Sequence, residues 1–317
     1  MSVHGQVKVR TSAEQKAARE RERAEKLQFY LGEYEKILNN RQTSDSLDLL
    51  KSTETILSEH PDCFTLWNIR REAILKIDND KQKDYFEKEL HVTQKCLQSN
   101  PKSYSCWFQR QWCLKQLKER FQVDLYQNEL QLCKKYLEHD ERNFHCWAYR
   151  YYLLERVCPS TSSSSSSSDL ESFYDKELDF LRSIIGINLS NYSAWHYRSK
   201  YLDKLLEHNP SRRLSLLAIE WQLVLSAVYT DCSDQAAWFY LRWLLFKQLG
   251  NEAISEDEHI KPLEELDEID PNNKWCMLAL CQLWKEKKMK EEKRKTYLEQ
   301  LANEIDRDRA EFYREQI

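Results

Sequence analysis

Tryptophan recurs at positions 67, 107, 147, 195, 238 and 275, at spacings of 40, 40, 48, 43 and 37 residues. A period near forty with one large apolar residue per unit restricts the chain to a stack of similar supersecondary units. Arginine follows four of these tryptophans by three residues, at Arg70, Arg110, Arg150 and Arg198, and follows the fifth by four, at Arg242. Ile74, Leu114, Leu154, Leu202 and Leu245 stand seven residues after the first five, so each shares a helical face with its tryptophan. Upstream, Glu89-Leu90, Glu129-Leu130, Glu177-Leu178 and Glu220-Trp221 begin a second periodic stretch, continued seven residues after the apolar member by Leu97, Leu137, Ile185 and Val228. Turn-forming segments such as Ser99-Asn100-Pro101, His139-Asp140-Glu141 and Asn188-Leu189-Ser190 separate the two stretches. The spacing predicts one helical hairpin per unit.

A lone hairpin cannot bury its apolar stripe, so the expected fold class is all-α, a right-handed or curved α-solenoid of stacked helical hairpins with a concave face suited to a partner. The expected organisation is an N-terminal tail and lead-in helix over 1–40, hairpin repeats over 41–275, and C-terminal capping helices over 276–317. A serine-rich insertion at 160–168 accounts for the long gap between the third and fourth tryptophans and reads as disordered. Only four glycines and six prolines are present, too few for the turns of a β-sheet or a phosphate-cradling loop, which argues against P-loop, Rossmann and all-β folds.

The balance of 48 basic against 52 acidic side chains gives no polycationic signal for nucleic acid. Ten cysteines without a C-x-x-C pair, and no secretory signal, read as small buried hydrophobes in a reducing compartment. No apolar run reaches the roughly 18 residues that span a bilayer, so a soluble, cytoplasmic protein is expected. Nine acids against one lysine between Gly250 and Asp270 read as a solvated surface. The tryptophans read as core, and Arg70, Arg110, Arg150 and Arg198 read as paired with neighbouring acids or helix ends, Glu89, Glu129, Glu177 and Glu220 recurring with them as natural partners. Taken alone, the residues offer no nucleophile elbow, no H-E-x-x-H and no closed zinc spacing.

The W-x-x-R hairpins resemble the repeat of the protein prenyltransferase α-subunit family. Within that family, three segments resemble the Rab-modifying geranylgeranyltransferase branch: Asn100-Pro101-Lys102-Ser103-Tyr104-Ser105-Cys106-Trp107, Asp140-Glu141-Arg142-Asn143-Phe144-His145-Cys146-Trp147 and Ser190-Asn191-Tyr192-Ser193-Ala194-Trp195-His196-Tyr197-Arg198. The opening His4-Gly5-Gln6-Val7-Lys8-Val9-Arg10-Thr11 does likewise. The resemblance implies a heterodimer in which a β subunit carries the catalytic zinc and most of the isoprenoid pocket. The reaction it implies transfers geranylgeranyl from geranylgeranyl diphosphate to C-terminal cysteines of Rab GTPases, selected through a Rab escort protein. Animal members commonly continue into immunoglobulin-like and leucine-rich-repeat regions, and nothing in this sequence does.

Residue by residue, Lys102 matches the family lysine that approaches the diphosphate. Tyr104 matches a tyrosine near the same place, packing between repeats being its other reading. Asn143 and His145 occupy the equivalent turn of the next unit, near the diphosphate or at the subunit interface. Phe144 departs from the tyrosine usual there in farnesyltransferase-type relatives, and Ser105 stands where those relatives use glutamine against a peptide carboxylate. His4 admits two readings, a ligand reaching the open position of the β-subunit zinc or an ordinary tail residue. The α subunit shared by farnesyltransferase and geranylgeranyltransferase type I is the alternative within enzymes, and a non-enzymatic helical-repeat scaffold is the alternative outside them.

Overall fold

The computed structural model describes residues 12–158, 167–248 and 255–317, and every regular element among them is helical. Met1–Thr161 and Ser162–Ile317 form two compact units. In the first, a capping box between Ser12 and Gln15 starts α1 (Ala13–Asn40), which leads into hairpins α2/α3 (Ser46–Glu59, Phe64–Lys76), α4/α5 (Asn79–Ser99, Tyr104–Phe121) and α6/α7 (Tyr126–His139, Phe144–Val157). The second holds α8/α9 (Ser167–Ile187, Tyr192–His208), α10/α11 (Arg213–Thr230, Gln235–Gln248) and α12/α13 (Lys261–Ile269, Lys274–Lys287), then α14 (Glu291–Gln300) and α15 (Ala310–Arg314). Ser167 and Ser168 already belong to α8, so the insertion expected at 160–168 is shorter, and its remainder lies outside the described residues, as does His4.

One hydrogen bond explains why tryptophan opens each second helix. The indole N–H of Trp67, Trp107, Trp147, Trp195 and Trp238 donates to the carbonyl six residues earlier, on Pro61, Pro101, Glu141, Leu189 and Cys232, at 2.7 to 3.0 Å. The ring fills the core while its single donor ties the helix to the preceding turn. Neighbouring hairpins are joined by buried charge. Arg70 forks onto Glu89, Arg110 onto Glu129 and Arg198 onto Glu220, each arginine reaching the first helix of the following hairpin. The same guanidinium donates backward to the carbonyl of Leu50, Leu90 or Leu178 in its own first helix. A third partner completes the carboxylate: Gln109 on Glu89, Tyr149 on Glu129 and Tyr240 on Glu220, all two residues after a tryptophan. Burial drives the Arg110 guanidinium toward neutrality, but the charge and hydrogen bonds of Glu129 outweigh it and raise its pKa. These groups are committed to the interior.

The sixth hairpin corrects the sequence register. Asn273 caps α13 by accepting from the N–H of Cys276, as Asn143 does from Cys146 in α7. Met277, 1% exposed, therefore takes the place of the tryptophan, and Trp275 lies two residues ahead of it, half-buried against Phe239. The boundary drawn at 275/276 consequently falls inside α13. The cap proper is α14, the helical turn Leu301–Ile305 and α15, which cover Met277 and Cys281 with Leu298, Leu301 and Tyr313 respectively. Arg242 is likewise no displaced member of the buried series, because Leu241 fills that position at 0% exposure while Arg242 points out over Phe246. Eight of the ten cysteines are buried, and burial holds the thiols of Cys113, Cys133, Cys276 and Cys281 above their ordinary pKa.

Candidate functional site

The turn before α5 runs Asn100-Pro101-Lys102-Ser103. Asn100 Oδ1 accepts from the Lys102 N–H at 3.1 Å, its Nδ2 donates to Asp62 at 3.0 Å, and Ser103 Oγ caps α5 by accepting from the Cys106 N–H. Lys102 projects from this fixed backbone with its Nζ 3.6 Å from Asp140 Oδ2, a partly exposed pair. Tyr104 is the first residue of α5 and is 63% exposed. Its ring meets the edge of His145 at 4.1 Å and lies 6.3 Å from Phe144.

The equivalent turn before α7 supplies the other side. Asn143 is 1% exposed, and its Oδ1 accepts from the N–H of both His145 and Cys146 while its Nδ2 donates to the carbonyl of Pro101 at 3.0 Å. Both ends of its amide are used inside the protein. It holds Pro101, and so Lys102, against the start of α7. His145 is largely enclosed, and burial first, then the charge of Lys102, lowers its pKa against an opposing pull from Asp62. At neutral pH its ring is uncharged. Ser105 is 1% exposed with no partner for its hydroxyl among the described residues, so its side chain is turned into the protein.

Lys102, Tyr104 and His145 thus form one neighbourhood made of an ammonium, a phenol and a neutral imidazole. Such a set offers donors to an anion rich in acceptor oxygens. Sequence reasoning missed two features here. One is the pairing of Lys102 with Asp140 across the hairpins. The other is a row of exposed aromatics at the first residue of successive second helices, Phe64, Tyr104 and Phe144 in the first unit and Tyr192 in the second. Each stands three residues before its tryptophan, which is the signal that was available. In the second unit a cleft of about 390 Å³ is lined by Trp238, Phe239, Phe246, Trp275, Leu278 and Phe312.

The family described as protein prenyltransferase alpha subunit repeat matches residues 46–77, 86–117, 126–157, 174–205 and 217–248, the first five hairpins. The chain belongs to the protein prenyltransferase α-subunit family. It is 32% identical to the geranylgeranyl transferase type-2 subunit alpha of Schizosaccharomyces pombe, over 88% of this chain and 85% of that one. It is 39% identical to the protein of that name in Rattus norvegicus over 77% of this chain, and it spans only 42% of the rat protein's length. Candida albicans protein geranylgeranyltransferase-I complexed with GGPP has a similar fold, with TM-score 0.61 and 20% identity, over 84% of this chain and 82% of that chain. No helix among the described residues is long and apolar enough to cross a membrane.

Proposed function

We propose that this chain is the α subunit of a Rab geranylgeranyltransferase. Its partner would be a prenyltransferase β subunit, its prenyl donor geranylgeranyl diphosphate, and its acceptor the C-terminal cysteines of a Rab GTPase presented by a Rab escort protein in the cytoplasm. The observation that carries the reading is the convergence of Lys102, Tyr104 and His145 at the tips of α5 and α7. The names of the relatives and the exposed row of Phe64, Tyr104 and Phe144 support it, because a run of exposed rings on rigid helix ends suits a protein partner.

Among the described residues no three His, Cys, Asp or Glu side chains gather as ligands for a metal ion. The zinc in this reading belongs to the β subunit, where it would supply an activated cysteine thiolate. His4 as a ligand to that zinc belongs to the same reading. This chain's contribution is electrostatic. Lys102 donates to oxygens of the diphosphate and neutralises charge that grows as the carbon–oxygen bond breaks. Tyr104 and neutral His145 add donors without a second cation. Asn143 and Asn100 keep the two turns in place, so that little reorganisation accompanies the transfer.

The test is coexpression with a prenyltransferase β subunit followed by single-turnover transfer to an escort-bound Rab protein. Lys102→Ala is expected to slow transfer by roughly 10²-fold, while the heterodimer still copurifies. Failure of the β subunit to copurify would remove the heterodimer. Activity on a CaaX peptide without escort protein would move the chain to the shared farnesyltransferase-type class.

A further inference from the structure

We infer that Asp140 is a positioning residue for Lys102, holding its ammonium at the tip of α5 before substrate arrives. The inference rests on the assignment of Lys102 made above and adds the group through which that lysine is aimed. Asp140 ends α6 and makes a turn in which Oδ1 accepts from the Arg142 N–H at 3.1 Å. The same turn recurs with Asn100 accepting from Lys102 and Asn188 from Ser190. An amide oxygen therefore suffices for the backbone, and the negative charge at 140 is surplus to the turn. It also sits at the C-terminal end of a helix, where the helix dipole disfavours an anion. Of the other acids at this position, Asp231 takes both the N–H and the hydroxyl of Ser233 on Oδ1, and Asp270 accepts from Asn273 Nδ2 at 2.8 Å. At Asp140 the second oxygen instead faces Lys102 Nζ at 3.6 Å.

The geometry suits a tether rather than a buried lock. With the turn fixing one carboxylate oxygen, the other is a stationary counter-charge for a side chain with four rotatable carbons. The pair is partly exposed, so its strength is modest and an arriving polyanion can draw Lys102 across without breaking a desolvated bond. Asn143 reinforces the arrangement by tying Pro101 to the start of α7.

The decisive variant is Asp140→Asn, which keeps the turn acceptor and removes the charge. Two measurements follow. On the full chain, modification of Lys102 by an amine-reactive ester, read by mass spectrometry, should be faster in Asp140→Asn than in wild type by a factor of about two or more, because the carboxylate holds the amine against the turn and restricts the reagent's approach to it. In the reconstituted heterodimer, single-turnover prenyl transfer should slow about threefold in Asp140→Asn, with unchanged thermal stability. It should slow no further when Asp140→Asn is added to Lys102→Ala. Unchanged labelling would overturn the tether itself. Multiplying rate effects in the double variant, or a faster Asp140→Asn enzyme, would show that Asp140 acts independently of Lys102 or against it. A wild-type rate in Lys102→Ala, with labelling still responsive, would remove the assignment of Lys102 to the reaction and the positioning role with it.

Discussion

The joint between the second and third hairpins and the joint between the fifth and sixth use the same positions with opposite chemistry. In the first, Arg110 and Glu129 are buried as a bidentate pair completed by Tyr149 and the carbonyl of Leu90. In the second, Leu241 replaces the arginine and His259 stands where the carboxylate would be, with its ring 4.6 Å from Trp221. Both members of the ion pair are exchanged together. A lone arginine or a lone glutamate at this depth would be an uncompensated charge, whereas the pair or its neutral substitute can be buried. The charged joint is therefore a unit. Its value lies in specifying which helix meets which, since a hydrophobic joint at the end of the stack closes as well.

The widest separation between the two joints should appear on removing the arginine each hairpin carries. Arg110→Ala leaves Glu129 buried and unpaired, and should destabilise the first unit by about 3–5 kcal/mol in urea unfolding. Arg242→Ala removes an exposed side chain that lies over Phe246 at the rim of the cleft, and should change stability by less than about 0.5 kcal/mol. Comparable losses in the two variants would break the distinction. A second experiment tries to convert the neutral joint into the charged one. Leu241→Arg alone should cost on the order of 3 kcal/mol, and adding His259→Glu should recover most of it. No recovery in the double variant would mean that the acceptors beside Arg110, not the carboxylate alone, make the pair tolerable.

Much of this framework was legible because it repeats. The tryptophan period and the Arg70, Arg110 and Arg198 pairings with Glu89, Glu129 and Glu220 follow from residues recurring at fixed offsets. What the offsets hid was the direction of each pair, from one hairpin into the next, and the third partner supplied by Gln109, Tyr149 and Tyr240. The sixth hairpin misled because Trp275 is the nearest tryptophan, while the register is set by the Asn273 cap and Cys276. The site divides in the same way. Lys102 and Tyr104 were recognised by resemblance and do stand exposed. Asn143 turned out to be enclosed, since one amide serves both the α7 cap and the Pro101 carbonyl. Asp140 was invisible because its partner lies in the preceding hairpin and the contact recurs with other residue types, Asp62 with Asn100 one repeat earlier.

The smallest expected effect concerns the protonation of the neutral joint. Burial lowers the pKa of His259 below its ordinary 6.5; Glu258 and a hydrogen bond with the Ser255 backbone oppose it, and Lys287 adds slightly to the lowering. The N–H of Ser255 donates to its Nδ1 at 3.3 Å, which requires that nitrogen to be unprotonated. Well above pH 6.5 the ring is neutral in the folded and unfolded chain alike, and its full contribution to stability is present. As the pH falls below that value the unfolded chain takes up a proton that the folded chain does not, so stability declines until the folded pKa is passed. His145 and His196, also lowered by burial, contribute the same sign. His259→Gln should therefore flatten the acid limb of a stability profile by no more than about 1 kcal/mol per pH unit between pH 6.5 and 5. The charged joint has no histidine at this position and no such limb of its own. Identical acid limbs for wild type and His259→Gln, measured by urea midpoints across that window, would show that the sixth hairpin accepts the charged ring and that neutrality is not what suits His259 to the place of a glutamate.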